Sequence, residues 1–297
     1  LIKGSSTKDK PQIGITPAVA DCRYRAPLSP RLRSSNYIGI SKICQCVLWR
    51  KRKYYIIRNK FNTGKKKKRW DAVMIKRIGM LTSGGDCQAL NATMRGVVKG
   101  LTNSLDELEI YGFDDGYKGL IYGKYRMLTS KDFSGILTQG GTILGTSRQP
   151  FKLMRVPDEK GVDKVAAMKQ TYYKLCLDCL IILGGNGTQK TANLLREEGL
   201  NIIHLPKTID NDIYGTDMTF GFQSAVDIAT NAIDCIHTTA ASHGRVFIVE
   251  VMGHKVGSLT LHAGIAGGAD IILIPEIPYD IKKVCEAIEK RNKAGKR

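Results

Sequence analysis

Two apolar runs in this chain each end in a glycine-rich turn just ahead of a helical period, and that pairing constrains the fold more than any other feature. Residues 77–81 lead into Thr82, Ser83, Gly84, Gly85 and Asp86, and residues 179–183 into Gly184, Gly185, Asn186, Gly187 and Thr188. Runs that are apolar along their whole length belong to strands covered on both faces, as in a parallel sheet. The turns then mark the carboxyl ends of strands, where open α/β sheets hold their ligands. Strands are expected at 77–81, 108–113, 179–183, 202–205, 246–251 and 271–274, and helices at 89–101, 131–137, 163–174, 188–198, 222–241, 259–267 and 281–293.

This alternation predicts an α/β class, a Rossmann-like three-layer fold with a parallel sheet and helices on both faces, followed by the start of a second, similar domain. Glycine in the turns has a geometric reason. Without a Cβ the chain turns tightly and its amides approach a phosphoryl oxygen, aided by the positive end of the following helix. A single turn of this kind is also a plain connector, so two together carry the reading. Neither is a Walker A loop, because no Gly-Lys-Ser/Thr follows at the required spacing.

A third segment, Pro206-Lys207-Thr208-Ile209-Asp210-Asn211-Asp212, follows the run at 202–205 and places two carboxylates within three residues. Asp and Asn suit plain turns, and that reading stands beside a chemical one. Phosphoryl transfer needs a base near the attacking hydroxyl, oxygen ligands for magnesium, and amide or cationic donors around the travelling group. Two carboxylates can fill the first two needs separately.

Charge is unevenly placed. Up to Asp71 the chain has 19 Lys/Arg against 3 Asp, leaving 27 against 24 for the rest, so +16 of the +19 lies in the first quarter. A polyanion-binding reading therefore attaches to this leader and not to the body, for which no nucleic-acid partner is expected. The leader shows no sustained period and is expected to lack regular structure. A basic arm is one alternative; another is that the leader is translated upstream sequence, since Met74 opens the first strand. No apolar run approaches the roughly 20 residues of a membrane helix, so no membrane partner is expected, and reduced thiols suit a cytoplasmic protein. Cys176 and Cys179 read as structural rather than a redox or zinc pair. His204, His237 and His243 have no paired nucleophile and receive no chemistry.

The ordered segments MIKRIGMLTSGGDCQALNATMR (74–95), GGTILGTSR (140–148), PKTIDND (206–212) and EVMG (250–253), with GGADIILIPE at 267–276, resemble the 6-phosphofructokinase family, ATP-dependent type. The resemblance covers nearly all of 74–297. It implies transfer of a phosphoryl group from ATP to the 1-hydroxyl of fructose 6-phosphate, with Mg2+, in glycolysis. It implies Asp210 as base, Asp212 for metal or substrate placement, Thr208 near the sugar and Arg148 on the travelling phosphoryl group. Gly85, Gly184, Gly185, Asn186, Gly187, Thr188 and Lys207 would face the nucleotide, with Asn186 and Asp212 toward metal. Arg245, Met252, Gly253 and His254 would face the sugar phosphate, Arg245 across a subunit interface. Self-association as a homodimer or homotetramer is implied as well. The expected domains are a leader at 1–73, a nucleotide-binding domain at 74–242 and the beginning of a sugar-phosphate-binding domain at 243–297.

Three departures qualify the match. Asn186 stands where the family usually has Asp, which removes a negative charge from the metal site. His254 replaces a common Arg, a weaker phosphate partner. The sequence also stops at Arg297, before a segment that in the family adds sugar-phosphate contacts. Gly187 leaves room for adenosine and favours ATP, whereas Lys207 is typical of pyrophosphate users. Pyrophosphate dependence and a non-catalytic, nucleotide-binding regulatory relative stay open as alternatives. An NAD or lipid kinase shares the 184–188 loop but is opposed by Asp210, Asp212 and the segment 250–253.

Overall fold

The structure, a computed structural model, describes residues 2–4 and 76–295. In chain order its first elements are β1 (Ile2–Gly4), β2 (Lys76–Ser83), α1 (Ala89–Ser104), β3 (Leu108–Phe113), α2 (Tyr117–Tyr122), β4 (Tyr125–Leu128), α3 (Lys164–Lys174) and β5 (Cys179–Gly184). There follow α4 (Asn186–Glu197), β6 (Ile202–Thr208), β7 (Phe220–Gly221), α5 (Phe222–His243), β8 (Val249–Val251), α6 (Ser258–Ala266), β9 (Ile272–Leu273) and α7 (Ile281–Lys293). The described chain forms two compact units, one of residues 76–206 and one of residues 2–4 and 207–295.

In the first unit the sheet order is β4-β3-β2-β5-β6. β2 is parallel to β3 and β5, and β5 is parallel to β6. All of β5 and the last six residues of β2 are buried, which accounts for their unbroken apolar character. Leu180 and Ile182 of β5 pack with Tyr117 and Leu120 of α2, Met168 and Tyr172 of α3, and Leu194 and Leu195 of α4. Each such side chain contributes about 1.5–3 kcal/mol through the area it removes from water. α1 buries its own stripe of Leu90, Met94, Val97, Val98 and Leu101, at helical spacing. Because β3 follows β2 on one side and β5 lies on the other, the switch in strand order falls at β2 and β5, the two strands that carry the glycine turns.

The second unit holds a three-stranded sheet in the order β8-β1-β9, with β1 parallel to both neighbours. Its core joins Phe222, Val226 and Ile233 of α5 to Val251 of β8 and to Leu259 and Ala263 of α6. Since α5 shares this core, the division falls at Pro206 and Lys207, ahead of the 242/243 boundary expected from sequence. The last two residues of β6, Lys207 and Thr208, belong to this unit, where they pair with β7.

The α/β class is as expected; several elements are not. The helix expected at 131–137 is a run of turns. Asp132 accepts from the Thr129 amide at 2.7 Å and from its hydroxyl at 2.8 Å, and Gly135 has φ +77, so local side-chain bonds and a left-handed residue displace the helical ladder. The antiparallel edge strand β4, the short helix α2 and the two-residue β7 were not anticipated. β8 starts at Val249 rather than 246, Val246 and Ile248 being exposed. The expectation of no regular structure in the leader is overturned at Ile2–Gly4; the rest of 1–73 lies outside the described residues. Cys179 is fully buried, and burial pushes its thiol up to about 12.

His204 is packed in β6, as expected, with its Nε2 buried and unpartnered among the described residues, and burial lowers its pKa to about 4. The folded form therefore holds the ring neutral while the unfolded chain protonates near pH 6.5. Stability contributed by this position is full above that pH, and it is lost progressively down to about pH 4. Urea unfolding of the chain at pH 7.5 and 5 should show a loss of about 1–3 kcal/mol at the lower pH. His204→Phe should flatten that dependence; an unchanged slope would show that His204 is not its source.

Candidate active site

β2 and β5 end at the same level, with Ser83 paired to Gly184 as the last step of their register. The two glycine turns consequently emerge side by side. Gly84 takes φ +94, a left-handed conformation closed to most side chains. Gly184 is a close-approach position, since a Cβ there would lie 2.5 Å from the Cβ of Thr188. The Thr188 hydroxyl donates to the Ser83 carbonyl at 3.3 Å and so joins the start of α4 to the end of β2.

A third segment is drawn into this unit's site. The Thr146 hydroxyl donates to the Gly84 carbonyl at 2.6 Å, and the Gly84 amide donates to the Ser147 carbonyl at 3.2 Å. Arg148 thus begins one residue past a strap fastened to the first glycine turn, with its side chain exposed. Gly85, Asn186 and Gly187 are exposed as well, and the space a Cβ would occupy at Gly85 or Gly187 is open. The cap residue of α4, Gly185, offers no side chain to the first-turn amides. Uncapped amides at a helix start form an anion-binding arrangement, and Arg148 is an exposed cation of the same unit.

The second unit gathers the acidic segment. Thr208 accepts from the Asp210 amide at 3.1 Å, and its main-chain carbonyl accepts from the Thr219 hydroxyl at 2.8 Å. Asn211 sits at φ +57; its Oδ1 accepts from the Thr219 amide at 3.0 Å and its Nδ2 donates to the Asp217 carbonyl at 3.2 Å. This turn leaves Asp210 half-buried, with Oδ1 buried and unpartnered among the described residues. Burial, and then the Asp212 carboxylate, push the Asp210 carboxyl above the usual range, while His254 and Lys207 pull the other way. Lys207 is 6% exposed. His254 has φ +54 after the buried Gly253, and Met252 and Arg245 are exposed.

Of the residues named from sequence, Gly85, Arg148, Gly184, Gly185, Asn186, Gly187 and Thr188 lie in one unit, and Lys207, Thr208, Asp210, Asp212, Arg245, Met252, Gly253 and His254 in the other. Sequence reasoning missed Asn211, the Thr146–Ser147 strap, and the turn 114–117 that ends β3 beside them. That last turn carried a readable signal, being one more strand followed by glycine, at Gly116. For metal, no group of three His, Cys, Asp or Glu able to hold an ion occurs among the described residues. Asn186 in the first unit and Asp212 in the second are, each by itself, oxygen donors of the kind magnesium takes together with phosphate oxygens.

Comparison with known proteins places this arrangement. A phosphofructokinase family profile matches residues 77–297. An ATP-dependent 6-phosphofructokinase of Spirochaeta thermophila is 58% identical over 228 residues, covering 74% of this chain and 61% of that protein. ATP-dependent 6-phosphofructokinase 3 of Bacteroides thetaiotaomicron is 53% identical, covering 74% and 65%. The chain thus spans about three fifths of the length of these curated relatives. Among solved structures, a phosphofructokinase from Saccharomyces cerevisiae superposes with TM-score 0.65 at 32% identity, over 74% of this chain and 32% of that one.

The two glycine turns separate in sign under substitution. Gly84→Ala should destabilise the chain by about 1–2 kcal/mol, the cost of a left-handed φ in a residue with a Cβ. Gly187→Ala, in open space within α4, should stabilise it by about 0.5–1 kcal/mol. Urea melts of the two variants would contradict this geometry if both moved the same way.

Proposed function

Because the chain belongs to the phosphofructokinase family, we propose that it moves the terminal phosphoryl group of ATP to the 1-hydroxyl of fructose 6-phosphate, giving fructose 1,6-bisphosphate and ADP. The observation that carries this reading is Asp210, a half-buried carboxylate with an oxygen unpartnered among the described residues, a raised pKa and a buried cation in the same segment. A carboxylate with these properties accepts a proton more readily than an exposed one, which suits a general base for an alcohol.

The residues divide the work. Asp210 holds and accepts the hydroxyl proton. Thr208, whose oxygen accepts from the Asp210 amide, keeps its own O–H to donate toward the sugar. The first-turn amides of α4 and the turn at Gly84 and Gly85 receive the donor's phosphates, with Arg148 beside the transferred group as charge spreads over its oxygens. The hydroxyl of Thr188 is already committed to Ser83, so this residue acts through its amide and as a clasp. Arg245, Met252, Gly253 and His254 form the sugar-phosphate side. Asp212 and Asn186 are each oxygen donors that would suit magnesium together with phosphate oxygens, and the ion would neutralise developing charge. The relatives named ATP-dependent support ATP as donor, and the open space at Gly187 agrees. Lys207 is the one observation that favours pyrophosphate instead, a buried ammonium being a compact partner for a small anion. We take the protein to be cytoplasmic and to self-associate as a homodimer or homotetramer. No helix among the described residues is long and apolar enough to cross a membrane.

A coupled assay for fructose 1,6-bisphosphate, run with ATP or with pyrophosphate, tests the reading, with ADP titration as an independent measure of the nucleotide site. Asp210→Asn should lower transfer by about 10²–10⁴ and leave ADP affinity within about threefold of the parent. Transfer by the parent chain should rise with pH through the raised Asp210 pKa, because only the ionised carboxylate accepts the proton. Undiminished transfer by the Asn variant would remove Asp210 from the role of base, and transfer with pyrophosphate alone would reassign the donor.

A further inference from the structure

We propose that Tyr117 is a positioning residue for nucleotide binding, its buried phenol setting the first turn of α4 from the far side of the strand ends. The inference rests on the reading of 184–188 as a phosphate loop. Tyr117 is fully buried, and its hydroxyl donates to the main-chain carbonyl of Thr188 at 2.9 Å, across 71 positions of sequence. If this position served packing alone, a phenylalanine would fill the same space without a polar atom to satisfy.

The turn that carries Tyr117 is itself fixed at several points. Gly116 takes φ +68 and lies so close to β2 that a Cβ would stand 2.6 Å from the Thr82 carbonyl. Asp115 takes φ +55, donates its amide to the Leu144 carbonyl at 2.9 Å and accepts at its own carbonyl from the Ser147 hydroxyl at 2.5 Å. The turn at 114–117 therefore touches the end of β2, the strap before Arg148 and the start of α4. Those are the three pieces whose relative placement determines where amides and guanidinium point. Burial drives the phenol's ionisation far above its ordinary value, so it remains a donor at every working pH. The carbonyl it reaches belongs to the same residue whose hydroxyl clasps Ser83, so Thr188 is held from both sides. Loss of the phenol hydroxyl frees one side of that clamp while the ring keeps its place in the core.

The test is calorimetric titration of the full chain with ADP, alongside amide hydrogen exchange. Tyr117→Phe should weaken ADP binding about 3- to 10-fold, the worth of one neutral hydrogen bond. Exchange at amides 185–188 should quicken while β2 and β5 keep their protection. Tyr122→Phe, which removes an exposed hydroxyl bonded to Asp158, is the control and should change neither readout. A merely structural tyrosine would instead loosen strands and loop together and leave the affinity of the folded protein unchanged; that result overturns the proposal. Should Tyr117→Phe not fold, Ser147→Ala decides, because it releases the same turn at an exposed bond. Parental ADP affinity in that variant would equally overturn the proposal. Absence of ADP binding by the parent chain would overturn the phosphate-loop reading itself, a different failure from parental binding that Tyr117→Phe does not alter.

Discussion

The register that pairs Ser83 with Gly184 is the constraint from which the nucleotide side of this molecule follows. Parallel strands that end together deliver their following turns to one place, and here both turns need glycine for different reasons. Gly84 requires a left-handed backbone, and Gly184 requires the absence of a Cβ beside Thr188. Were the register one step off, the Thr188 hydroxyl could not meet the Ser83 carbonyl, and α4 would begin elsewhere. The burial of β5 along its whole length protects that register, because slipping would expose apolar residues on one face or the other.

The second unit reaches its chemistry by another route. A left-handed Asn211, bonded through both ends of its amide, folds the acidic segment so that one Asp210 oxygen is left in a buried place without a partner among the described residues. Burying an unpaired carboxylate oxygen is costly, and structures keep such groups where function uses them. Like charge from Asp212 and opposite charge from Lys207 and His254 act on this carboxyl together, so its proton affinity reflects several neighbours at once.

Much of this was legible in the sequence because glycine, aspartate and apolar runs carry local instructions. β3 and α7 match the expected residues at both ends; α7 begins where the Asp280 carboxylate accepts from the Lys282 amide. The turns at Gly84 and Gly184 could be read from strand-then-glycine order, and Asp210 and Asp212 from their spacing. What escaped depends on partners remote in sequence. Tyr117 reads as one more core aromatic until its hydroxyl is seen to reach Thr188. The turns at 131–137 have helical composition, yet the Asp132 bonds to Thr129 and the left-handed Gly135 outcompete the ladder. Edge strand β4 has no apolar alternation, since three of its four residues are exposed.

The ties that assemble the glycine turns share a chemical character: hydroxyls of Tyr117, Thr146, Ser147 and Thr188 donate to main-chain carbonyls. None of these links is an ion pair. Dissolved electrolyte, which screens charges over about 10 Å at 0.1 M, has little hold on such contacts. The shelf for phosphates is thus mechanically indifferent to ionic strength, whereas the field around Asp210 is built from charges and is open to screening. One protein accordingly carries a salt-proof frame in one unit and a salt-tunable acid in the other.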